Sequence, residues 1–146
     1  MKTLNQHISL FRTFANNHLQ VNSFGVGDPW EFNSSGVIYP SMCVVIEDSQ
    51  VSGGTLTDNY QIIFSDRVRH DEVDEQFSLS QMKQIALDLL AYLENGGVLS
   101  VSEILSDGAT LSDFTERFDD VVSGWVLTFS IEQANIYDYC NIPLNS

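Results

Sequence analysis

The sequence predicts an α+β fold: two helices packed on one face of an antiparallel sheet, in the order α-β-β-α-β-β-β. Three observations predict it. Apolar residues recur at steps of three and four in two separate stretches, and they alternate at steps of two in several others. The alternating stretches are joined by short turn-forming runs in place of crossover helices, which favours antiparallel pairing. The length of 146 residues, with neither an internal repeat nor a linker-like run, fits a single α+β domain over 1–146.

The first helix is expected over residues 4–19. Leu4, Ile8, Phe11 and Ala15 share one face, which Leu10 and Phe14 widen. The run Val21-Asn22-Ser23-Phe24-Gly25-Val26-Gly27-Asp28-Pro29 then reads as a loop, punctuated by Gly and Pro. Residues 39–48 read as a central strand because both faces are apolar, Met42, Val44 and Ile46 against Cys43 and Val45. A turn over 49–55 around Gly53-Gly54 leads to a second strand over 56–68, and the two make an antiparallel hairpin. The second helix is expected over 79–94, with Ser78 and Gln81 as a capping box and an apolar stripe through Leu79, Met82, Ile85, Ala86, Leu89, Leu90 and Leu93. Asn95-Gly96-Gly97 ends it. Two weaker strands follow over 98–105 and 111–118. The strongest runs over 121–133, where Trp125, Leu127, Phe129 and Ile131 alternate with a largely polar face.

Charge narrows the function classes. Twenty acidic residues against six Lys and Arg give a net charge of −14. Such a chain repels phosphate backbones and anionic lipid, so no direct sequence-specific nucleic-acid binding and no membrane contact are expected. No apolar run is long enough for a membrane helix, and the polar start is unlike a signal peptide. Cys43 and Cys140 show no metal or redox spacing and read as buried thiols in a protein that folds in a reducing cytosol.

Motifs for chemistry are sparse. His7 and His18 fall on nearly one helix face but about 16 Å apart along its axis, too far to share a metal ion. His70 beside Asp71 and Glu72 reads as part of a solvated charged loop. Gly25-x-Gly27 lacks the third glycine and following helix of a dinucleotide site, and neither a phosphate-binding loop nor a nucleophile elbow occurs. The expectation is therefore a non-enzymatic protein with no catalytic, cofactor-binding or metal-binding residues. Surface features carry more information. Trp30, Phe32, Tyr137 and Tyr139 put aromatic surface in a loop and the tail; these side chains either cap the sheet edges or dock neighbouring subunits.

The opening helix running into residues 21–30, the Tyr39-Pro40 lead-in to a strand, the strand, acidic linker and helix over 60–93, and the closing block of Gly124-Trp125 with Tyr139-Cys140-Asn141-Ile142-Pro143 together resemble the tail terminator and head-to-tail neck ring proteins of tailed bacteriophages. The likeness is greatest to versions from phages of gut Bacteroidota, including crAss-like phages. The resemblance implies a structural virion protein, assembled in the host cytoplasm as a six- or twelve-fold homo-oligomeric ring against portal, neck or tail tube proteins, and lining part of the DNA conduit. The charged loop over 67–76 would then face the lumen or the next ring. Asp71, Glu72, Asp74 and Glu75 would repel DNA, and Arg67 and Arg69 would pair with a neighbour's carboxylates. The competing reading is a small acidic inhibitor or DNA mimic bound to a basic host enzyme.

Overall fold

The computed structural model describes residues 3–27, 38–67, 72–95, 99, 103–105, 108–115, 122–134 and 142–144. Its elements run α1 (Leu4–Asn17), β1 (Ser23–Val26), β2 (Ser41–Ser52), β3 (Thr55–Arg67), α2 (Glu72–Asn95), β4 (Glu103–Leu105), β5 (Thr110–Thr115) and β6 (Val122–Ala134). The α+β class is the expected one. The order has one strand more than expected, α-β-β-β-α-β-β-β, because the Gly-punctuated run after α1 contains β1.

Thr3 starts α1 with a reciprocal capping box: its hydroxyl accepts from the Gln6 backbone at 3.3 Å, and the Gln6 side chain accepts from the Thr3 backbone at 2.7 Å. The helix α2 begins at Glu72, seven residues before the expected start at Leu79. Ser78 is therefore buried inside the helix and is not its cap. The acidic run over 72–75 accounts for the extra turns, since negative charge is favoured where a helix exposes its unpaired N–H groups.

The sheet has the order β1-β2-β3-β6-β4, with β5 also paired to β6. All pairings are antiparallel except the outermost: β1 lies parallel to β2, with Ser23 opposite Ser41 and Val26 opposite Val44. The expected hairpin is present as β2 and β3, and its strands extend to a two-residue turn in which Gly53 takes φ +60°. That left-handed conformation suits glycine and fits the twist of paired strands. β2 is buried over residues 41–44 and exposed from Ile46 onward, and a register shift between Ile46 and Ser49 falls within its exposed part.

Register puts matching side chains in rows under the helices. Met42, Phe64 and Trp125 form one row, Val44, Ile62 and Leu127 the next, then Tyr60 and Phe129, whose β2 neighbour Ile46 is exposed. Helix residues Phe11, Phe14, Met82, Ile85, Leu89 and Leu93 close over them in one continuous core. The face opposite holds a smaller cluster of Cys43, Ile63, Phe114 and Val122. Cys43 is fully buried, as expected.

Candidate functional site

In the next two rows along the sheet, inward positions turn polar. Asp58 lies opposite Ile131, and Gln133 lies opposite Glu103. Into this end α1 lowers His7, which is fully buried. The Tyr60 hydroxyl is 2.6 Å from His7 Nδ1, and Glu103 Oε2 is 2.9 Å from Nε2. Asp58 Oδ2 stands 3.7 Å from Nδ1 and accepts from the Gln133 amide at 3.5 Å. Five polar side chains from α1, β3, β4 and β6 thus meet below the helix layer, and four of them are almost wholly out of water.

Burying a polar group is costly unless it is paired, and pairing accounts for this geometry. The Tyr60 hydroxyl is held protonated well above the usual tyrosine range, first by burial, then by the nearby charges of Asp58 and Glu103. With the phenol hydrogen directed at Nδ1, the imidazole carries its own hydrogen on Nε2 and donates it to Glu103. The chain Tyr60, His7, Glu103 has the connectivity of a proton relay. Its His7 and Glu103 side chains have no solvent exposure, however, so no substrate atom reaches them in this conformation.

A cavity of about 450 Å³ opens beside β4, between Leu93, Glu94 and Asn95 at the end of α2 and residues Leu99, Ile104 and Leu105; Glu103 contributes to its wall. Its lining offers carboxylates and aliphatic surface. A second histidine site lies at the other end of α1. His18 Nδ1 accepts from the Gln20 backbone at 3.2 Å, which places the ring hydrogen on Nε2, 2.9 Å from Asp88. Asp88 accepts in turn from Gln84 at 3.0 Å. Among the described residues, no set of three or more His, Cys, Asp or Glu side chains could hold a metal ion. Around His7 the reason is direction: Glu103 and Tyr60 approach opposite ring nitrogens.

The residues singled out in the sequence are placed less completely. Arg67 ends β3, and its guanidinium lies 5.6 Å from the Tyr39 ring centre in its own chain. Glu72, Asp74 and Glu75 belong to the first turn of α2 and not to a loop. Arg69, His70, Asp71, Trp30, Phe32, Tyr137 and Tyr139 lie outside the described residues. The His7 network itself is not among the sequence expectations. A histidine four residues before Phe11, on the apolar stripe of a helix, is the one local sign of it; Tyr60 and Glu103 carry none.

No protein-family model matches the chain, and none of the curated proteins matches it either. Among the described residues, no helix is long and apolar enough to cross a membrane.

Proposed function

We propose that the chain is a structural subunit of a ring in the neck or tail of a tailed bacteriophage, in a terminator or connector role between portal and tail. The observation that carries this reading is the state of the sheet's two flanks. On one side β1 pairs only with the first four residues of β2, leaving the outer edge of residues 45–52 without a strand among the described residues. On the other, β4 and β5 are short strands sharing β6. Unpaired edges are templates for another chain, and two different edges on one subunit suit head-to-tail contacts that close into a ring.

Acidity supports the same reading, since an acidic lumen lets DNA pass without adhering. In the assembled ring the segment from Arg67 to the first turn of α2 faces the lumen or the adjoining ring, and Trp30, Phe32, Tyr137 and Tyr139 contribute to subunit contacts. Size-exclusion chromatography with mass measurement, followed by electron microscopy of the purified chain with its candidate tube or portal protein, tests this. Rings, or co-assembly with either protein, are expected. A persistent monomer that instead binds a basic nuclease tightly would replace the ring with the acidic mimic.

A further inference from the structure

We propose that the head-to-tail contact of the ring is one continuous sheet, in which the outer edge of β2 over residues 49–51 pairs antiparallel with β4 of the next copy. This rests on the ring reading and names the contact that closes it. Three rows cross the sheet from flank to flank: Ser49, Asp58, Ile131 and Leu105; Gln50, Thr57, Glu132 and Ile104; Val51, Leu56, Gln133 and Glu103. Both ends of these rows are open, since among the described residues β1 pairs β2 only as far as Val44 and no strand lies outside β4. The strand directions also agree. The β2–β3, β3–β6 and β6–β4 pairings are each antiparallel, so β4 runs opposite to β2. A neighbour set beside the sheet in the same orientation therefore meets β2 as an antiparallel partner and continues the rows without a shift.

Shape and charge both fit a second copy. Val51 shares the row of Glu103 on the helix side of the sheet and is 57% exposed. In the continued sheet it lies against β4 of the next copy, beside the cavity of about 450 Å³ whose aliphatic wall is Leu93, Leu99 and Leu105. Its side chain enters that space and leaves water. On the opposite face Gln50 covers Ile104, which is 62% exposed in the single chain. A chain of net charge −14 repels its own copies, so they meet where exposed carboxylates are fewest. Ser49, Gln50, Val51, Ile104 and Leu105 are uncharged, and the Glu103 side chain is turned inward onto His7. The exposed acids Glu47 and Asp48 stand at the register shift of β2, where the regular edge ends. Three rows bury far less than the ~1,200 Å² of a stable pair, so the contact holds when repeated around a closed ring and not as a lone dimer.

Disulfide trapping in the full chain tests the contact. Gln50→Cys and Ile104→Cys are combined in a Cys140→Ser background and oxidised at high protein concentration. Within one chain these positions are three strand spacings apart, about 14 Å, too far for a disulfide, so a bond between them joins two copies. The expected result is a ladder of dimers, trimers and higher species from the double variant, with each single-cysteine variant remaining monomeric. Adding Val51→Asp should weaken the ladder about tenfold, since a carboxylate then faces the aliphatic wall, while the urea midpoint of this exposed position stays unchanged. Absence of the ladder overturns the proposal, as does dimer formation by Gln50→Cys alone, which would mean that two β2 edges pair with each other. Electron microscopy of the reduced double variant, with its candidate tube or portal protein, reads the ring separately: rings that give no ladder on oxidation overturn this contact and leave the ring reading standing.

Discussion

Glu103 on β4 accepts a hydrogen bond from His7 Nε2 at 2.9 Å, joining the first helix to an edge strand 96 residues away with both side chains closed to solvent. Removing one member leaves the other's polar group buried without its partner, which is costlier than removing both. Glu103→Ala is expected to lower stability by about 3–5 kcal/mol in urea denaturation. Glu103→Gln still offers Nε2 an acceptor and should cost only about 1–2 kcal/mol.

Alkaline pH tests the Tyr60 environment. Its proton is held more tightly in the folded chain than in the unfolded one, so the contribution to stability is complete below the ordinary tyrosine range. Above about pH 10 the unfolded chain releases that proton while the native chain keeps it, and stability falls as pH rises. Ultraviolet titration should show one tyrosine that does not ionise until the protein unfolds, and Tyr60→Phe should abolish that late component.

Gly124 faces Ser65 across the β3–β6 pair, and a Cβ placed there would run into the Phe64 carbonyl. Backbone on both sides of the clash is fixed by the longest ladder in the sheet. Gly124→Ala should cost about 3 kcal/mol, the upper part of the range for overpacked positions, measured by thermal or urea unfolding. A loss below about 0.5 kcal/mol would show that β6 can shift against β3 at this point.

Trp125 is half-buried and does more than fill space. Its indole N–H donates to the Leu79 carbonyl at 2.7 Å, and Lys83 stands over its ring at 5.2 Å. Trp125→Phe should cost about 1 kcal/mol for the lost hydrogen bond, and Trp125→Ala about 3 kcal/mol. In the alanine variant Lys83 loses its ring as well, so Lys83→Ala should be nearly silent in that background while costing about 0.5–1 kcal/mol in the parent.

Much of the architecture was legible in the chain because its signals are local. The alternation of Trp125, Leu127, Phe129 and Ile131 marks β6, the stripe from Met82 to Leu93 marks α2, and Gly53-Gly54 marks the hairpin turn. The early start of α2 was not legible, because a charged run reads equally as a linker until the helix dipole is there to favour it. Nor was β1: Ser23–Val26 is four residues long and gains its strand character only from lying beside β2.

By itself, then, the sequence determined the class of fold, the two amphipathic helices, the inward face of each long strand and the strongly acidic surface, all consequences of spacing and composition. Tertiary structure alone decided that β1 runs parallel, that β6 is shared by three neighbours, and that His7, Tyr60, Asp58, Glu103 and Gln133 meet. Those outcomes depend on register between segments tens of residues apart. A polar residue on an apolar face announces only that it needs a partner; which partner it finds is settled by packing.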